Sequence, residues 1–224
     1  MHSDHIFNLI QMDWPLHNQQ VLQHCIELAD KAVLEHTADY PPTYHHSVVK
    51  GVLRWDRLDY YLKMAADNGL FEGIAAQWVE WQNAPILELV GKYTTLTACH
   101  VLNQDDSPRE SRYSYRKNNR ARNQKNQLLF QEIEEPGTDD DKAAIILVHG
   151  GSGDRFAYLR IYLEDSDIPT LSGNIMLLAP LDAMPAEEFI PTPVPTLKGT
   201  PAVVEKEILL KRADLKNENV HSQS

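Results

Sequence analysis

Cysteine is scarce: the 224 residues hold two, Cys25 and Cys99. At most one disulfide is available, so a disulfide scaffold is excluded and a reducing, cytoplasmic compartment is expected. The ten histidines fall into no H-x-x-x-H spacing, and no C-x-x-C exists. His24-Cys25 and Cys99-His100 mirror each other, but adjacent side chains diverge on a helix and oppose on a strand, so each pair lends one ligand. No metal and no other cofactor is expected. Long apolar runs are missing too. None approaches the ~18 residues of a membrane span, so no membrane contact is expected. The start, MHSDHIFNLIQMDW, lacks the basic flank and apolar core of a secretory signal. No repeat recurs at solenoid periods.

What is present is a chain with 42% hydrophobic and 24% charged residues, the composition of a globular protein. Its centre is Ala143 to Leu163, AAIILVHGGSGDRFAYLRIYL. Ala143 to Val148 is a continuous apolar run, as for a strand buried on both faces. The glycines of His149 to Asp154 favour a tight reversal. The next run alternates. Ala157, Leu159, Ile161 and Leu163 are expected to face the core. Phe156, Tyr158, Arg160 and Tyr162 form an opposite sheet face, expected to lie under the N-terminal helices. Aromatic and arginine side chains there would also suit base stacking.

The ILVHGG stretch resembles the oxyanion turn of esterases in pattern, but the chemistry needs a later G-x-S-x-G elbow and a later histidine. No such elbow follows Gly151, and the histidine that follows is His221 in a polar tail. A small hydrolase built on the HGGSGD turn is therefore a second alternative, and no catalytic residue is assigned. RFAYLRIY partly matches an RNA-recognition strand. The breaks at Glu134-Glu135-Pro136-Gly137 and Ile168-Pro169 leave no room for the helices that fold requires.

Residues 1–17 read as irregular or as a short turn of helix, ending near Trp14-Pro15. Apolar stripes predict helices over 18–36 and 47–68, and a third over 70–81 from Phe71, Ile74, Ala75, Trp78 and Trp81. From Ile86 the period falls to two, predicting strands over 86–101, with Gly91-Lys92 as a turn or bulge. Further strands are expected at 112–116, 127–133 and 174–179. Five prolines from Pro185 to Pro201 predict an extended arm. The fold class is thus α+β: about three N-terminal helices packed on a C-terminal antiparallel β-sheet, then a Pro-rich C-terminal arm. The divisions are 1–84 helical, 85–180 sheet (one domain with the helices) and 181–224 arm and tail.

The sharpest local signal is charge. Arg109, Arg112, Arg116, Lys117, Arg120, Arg122 and Lys125 face one acid, Glu110, in a chain of formal net charge −11. Tyr113 and Tyr115 are interleaved with them. Such a segment suits an acidic protein surface, including a second copy of the chain, or the phosphates and bases of a nucleic acid. The overall negative charge argues against coating nucleic acid. The expected function is a non-catalytic accessory or interaction protein, acting through this basic segment and the proline-rich arm. A small nucleic-acid-binding factor is the alternative. A protein partner or self-association is expected.

Overall fold

The computed structural model describes residues 2–38, 44–81, 84–108, 115–126, 136–151, 154–163 and 166–180. The chain divides into two units, Met1–Met184 and Pro185–Ser224. The expected proline-rich arm and the strand expected at 127–133 lie outside the described residues.

The first unit is α+β. Helices α1 (His2–Asp13), α2 (Leu16–Thr37) and α3 (Tyr44–Asp67) precede a six-stranded sheet: β1 (Ala75–Trp81), β2 (Ala84–Val90), β3 (Thr94–Val101), β4 (Ala143–Gly150), β5 (Phe156–Leu163) and β6 (Ser166–Leu171). A further helix, α4 (Tyr115–Lys125), lies between β3 and β4. The strands sit in sequence order across the sheet. The helices expected at 18–36 and 47–68 and the central hairpin are present.

Four expectations need correction. Residues 2–13 form a full helix rather than an irregular stretch or a short turn: α1 buries Leu9 and Ile10 in a single turn, too short a stripe to give its length from period alone. The segment expected as a third helix is β1. Gly73 at φ 69° precedes it, and its seven residues pair in unbroken register with β2, from Ala75↔Val90 to Trp81↔Ala84. The sheet is mixed rather than antiparallel. β3 and β4 run parallel, from Thr94↔Ala143 to Val101↔Gly150, while the other four pairings are antiparallel. Parallel neighbours need a long crossover, and α4 occupies it; the expected strand at 112–116 gives way to this helix from Tyr115 onward. Finally, Ile175–Leu177 is a short 3-10 turn where a last strand was expected, so β6 is the last strand among the described residues. Asn174 holds that turn, its Oδ1 accepting from the Met176 and Ala157 N–H groups at 3.1 and 3.0 Å.

Helices and sheet are pinned by polar groups that the core covers. Trp14 Nε1 donates to Thr94 Oγ1 at 2.9 Å. The Asp13 carboxylate, at the end of α1, accepts from the backbone N–H groups of Lys92, Tyr93 and Thr94 at 3.1, 2.8 and 2.7 Å. It thereby satisfies the β2–β3 turn, whose donors have no strand partner. Gly91 is required there, because a Cβ would stand 2.4 Å from Asp13 Oδ2. Asn18 Oδ1 accepts from Glu72 N–H at 2.8 Å, and its amide returns a bond to Glu72 O at 3.0 Å. These contacts lay α1 and α2 on the face of the sheet that carries Thr94, Leu96, Ile145, Leu147, Leu159 and Ile161, and Arg54 brings α3 to His100 on the same face.

Candidate functional site

The two sets of residues singled out by sequence meet on the opposite face. Register places Thr95, Thr97, Cys99 and Val101 of β3 beside Ala144, Ile146 and Val148 of β4 and Phe156, Tyr158, Arg160 and Tyr162 of β5. The layer over this face is α4, not the N-terminal helices as expected. Asn123 fixes it: its amide donates to Ala144 O and Tyr162 O at 2.9 and 3.0 Å, and its oxygen accepts from Ala144 N–H at 2.7 Å.

The basic side chains of α4 largely follow the helix down onto the sheet. Arg120 is buried with its guanidinium 5.1 Å from the centre of the Tyr162 ring. Arg122 donates to Thr95 Oγ1 at 2.6 Å. The Arg116 guanidinium touches the Cys99 thiol; burial still keeps that thiol above its ordinary pKa. The Tyr115 hydroxyl donates to Glu88 Oε1 at 2.9 Å, and burial followed by the Glu88 charge pushes its pKa up. From the sheet side, Arg160 packs 4.9 Å from the Tyr158 ring centre. It donates to Gln104 O, to Asp106 O at 3.4 Å and to Tyr162 Oη at 3.4 Å. Cation–π pairs of this kind give arginine a use inside the fold, with the rings replacing part of its hydration. Of the basic residues on α4, Lys117 and Lys125 are the exposed ones. Arg109, Arg112 and Tyr113 lie outside the described residues.

A second polar cluster lies on the helical face, at the β4–β5 turn. Parallel register sets His100 of β3 directly beside His149 of β4, their rings edge-to-face with centroids 5.4 Å apart. Arg54 of α3 links this pair to Asp30 of α2. Its Nε donates to Asp30 Oδ1 of α2 at 2.8 Å, and its Nη1 lies 3.0 Å from His100 Nε2. A guanidinium only donates, so His100 Nε2 is the acceptor and its proton sits on Nδ1. Arg155, just before β5, approaches the other Asp30 oxygen at 3.8 Å. His149 is 3% exposed. Burial first, then the charges of His100 and Arg54, lower its pKa from 6.5 to about 3. The His100 pKa is lowered too, by burial and then Arg54, with Asp30 opposing. Both rings are neutral at pH 7.

Asp30, Arg54, His149 and Arg155 line a small cleft open to solvent, with room for about one water. Ile26, Met176 and the start of β5 at Phe156 complete its lining, while the Phe156 ring packs on the opposite face with Val101 and Val148. Gly151 forms the rim at φ 95°, where a Cβ would lie 2.2 Å from Asp154 O. The described lining offers donors and acceptors but no hydroxyl or thiol. Among the described residues no group of three or more His, Cys, Asp or Glu is arranged to hold a metal ion, and no helix is long and apolar enough to cross a membrane.

Sequence reasoning noticed His100 and His149 separately and missed them as a pair, because an antiparallel sheet does not bring them together. Asp30 and Arg54 gave no signal, being ordinary charged residues on amphipathic helices. Compared with known proteins, the chain matches no family model, no curated protein and no solved structure.

Proposed function

We propose that this is a non-catalytic interaction protein that binds a protein partner. The observation that carries the reading is a pair of half-exposed tryptophans on adjoining elements: Trp55 of α3, 49% exposed, and Trp78 of β1, 50% exposed. Val52, one turn before Trp55, is exposed as well. Tryptophan left in water forfeits a large burial gain, and it is the side chain most enriched where partners bind tightly. Among the described residues β1 is also an edge strand, with β2 on one side. It carries neither lysine nor proline, the residues that usually blunt an edge against pairing.

Two further observations favour a protein over a nucleic acid. The arginines of α4 are engaged on the sheet rather than presented to solvent, and the chain is net negative. The exposed Lys117 and Lys125, the basic residues before α4 and the arm at 181–224 are further contacts in this reading. The cleft at His149 does not support hydrolysis, since it has room for about one water and its described walls offer no nucleophile.

The test is affinity purification of the full chain from its native host, beside a Trp55→Ser/Trp78→Ser variant and a chain ending at residue 180. A protein recovered in fixed ratio with the full chain, and reduced at least tenfold with the double variant, is the expected result. Undiminished recovery with both variants would overturn this surface as the site of contact.

A further inference from the structure

We propose that the front half of α3, residues 49–57, is an acid-operated flap, latched to the sheet by Arg54 on the unprotonated Nε2 of His100 and released when His100 takes up a proton. The latch stands on its own; its effect on partner contact rests on the tryptophan surface proposed above.

α3 is anchored unevenly. Leu58, Leu62 and Ala65, in its second half, are buried. From Val49 to Arg57 no side chain is buried, and Val52 and Trp55 are exposed. Among the described residues, the side-chain hydrogen bonds from this half to other elements are those of Arg54. A segment with little buried apolar surface opens at low cost, so one polar contact can decide its state.

Arg54 Nη1 lies 3.0 Å from His100 Nε2, and Arg54 Nε donates to Asp30 Oδ1 at 2.8 Å. A guanidinium cannot accept, so the contact with His100 exists only while Nε2 keeps its lone pair. Protonation there sets donor against donor and cation against cation. The surroundings give the new charge little relief. Asp30 of α2 already pairs with Arg54 and has Arg155 at 3.8 Å. His149 of β4 lies edge-to-face with His100 and is neutral. Lys50 and Arg57 stand one turn either side of Arg54 on α3. β2 adds no charge on this face, its acid Glu88 being bonded to Tyr115 of α4. One carboxylate would then face three cations: Arg54, Arg155 and His100. His100 sits in a strand paired on both sides, and Asp30 on a helix that buries Ile26, Ala29 and Val33. Arg54 is on the loosely held segment, so it is the group that leaves.

The direction follows by linkage. Burial first, then Arg54, lowers the His100 pKa from 6.5, with Asp30 opposing. Release wets the ring and removes Arg54, so the pKa returns toward 6.5. Below that pH the released form binds a proton that the latched form does not. Release is favoured by up to about tenfold per pH unit until the latched ring titrates as well. Asp59, buried further along α3, has a raised pKa, so acid tightens its surroundings and cannot drive the release. Val52 and Trp55 ride on the flap while Trp78 stays on β1. Acid therefore takes the two tryptophans apart.

Hydrogen–deuterium exchange of the full chain, read by mass spectrometry from about pH 7.5 to about pH 5 and corrected for the intrinsic pH dependence of exchange, tests the latch. Protection of residues 49–57 is expected to fall in acid, by up to about tenfold per pH unit, while α2 and β4 keep theirs. His100→Gln keeps an acceptor for Arg54 but cannot titrate, and is expected to hold the flap across the range. Arg54→Gln, at a partly exposed position, is expected to leave 49–57 exchanging near neutral pH as fast as the parent does in acid. Protection of 49–57 that is independent of pH in the parent, a pH step that survives in His100→Gln, or full protection in Arg54→Gln would overturn the latch. No partner enters this readout. Failure of the tryptophan surface shows separately, as undiminished partner recovery with Trp55→Ser/Trp78→Ser.

Discussion

Two buried titratable residues pull the pH dependence of stability in opposite directions. Asp59 on α3 is 6% exposed with no hydrogen-bond partner among the described residues. Burial, then the nearby Asp56 charge, raises its pKa from 3.8 to about 7. The unfolded chain loses that proton near 3.8 and the folded chain only near 7, so Asp59 lowers stability as pH rises through this window. His149 does the reverse. The unfolded chain takes up a proton below 6.5 and the folded chain only near 3, so stability falls as pH falls between them. His100 adds to the histidine side, its pKa being lowered as well. Each single group contributes a limiting slope of about 1.4 kcal/mol per pH unit. Denaturant unfolding across pH 4 to 7 therefore separates them. Asp59→Asn is expected to stabilise by about 1–3 kcal/mol at pH 7 relative to the parent, with the gain shrinking toward pH 4. His149→Gln is expected to diverge from the parent with the opposite tilt, leaving the smaller slope due to His100. Parallel curves for all three proteins would show that neither group is buried as described.

At the scale of elements, α4 is the part whose placement most needed the structure. Its mean composition is strongly polar, and it was legible as a charge run rather than as a helix. It folds down because the sheet face beneath it carries complementary groups: the Tyr162 ring under Arg120, Thr95 Oγ1 for Arg122, and Glu88 for the Tyr115 hydroxyl. Asn123 locks the docking by three bonds to backbone groups of β4 and β5. Asn123→Ala removes all three and leaves buried groups unpaired, so a loss of about 2–4 kcal/mol in urea unfolding is expected. A change below about 0.5 kcal/mol would place α4 off the sheet. Lys125→Ala, at an exposed position on the same helix, is the control and is expected to be near neutral.

α2 and α3 carry long apolar stripes, and β4 a continuous apolar run, so period and length sufficed for them. β1 misled because Ile74, Trp78 and Trp81 also fit helical spacing; the pairing with β2 decided the matter. The parallel β3–β4 pair was hidden by a long polar connection whose helix has no apolar stripe. That one reversal of direction also hid the His100–His149 pair, and with it the cleft. The aromatic and arginine face of β5 was legible as a covered surface, though its cover is α4.

At the scale of the whole molecule, the chain spends its unusual residues unevenly. The arginines of α4 pack on their own sheet, while Trp55 and Trp78 stay half-exposed on the helical side. Net negative charge disfavours contact with phosphate backbones. A chain of this charge that bound nucleic acid would do so through few contacts, and its affinity would fall steeply with salt. Protein contact through tryptophan is far less sensitive to salt, because most of its gain comes from apolar burial. Native mass spectrometry of the full chain purified from its host, at low and at moderate salt, is the most direct test. The account predicts a complex heavier than one chain, containing a protein partner or a second copy and persisting at both salts. A bare monomer at both salts, or nucleic acid that departs as salt rises with no protein left behind, would contradict it.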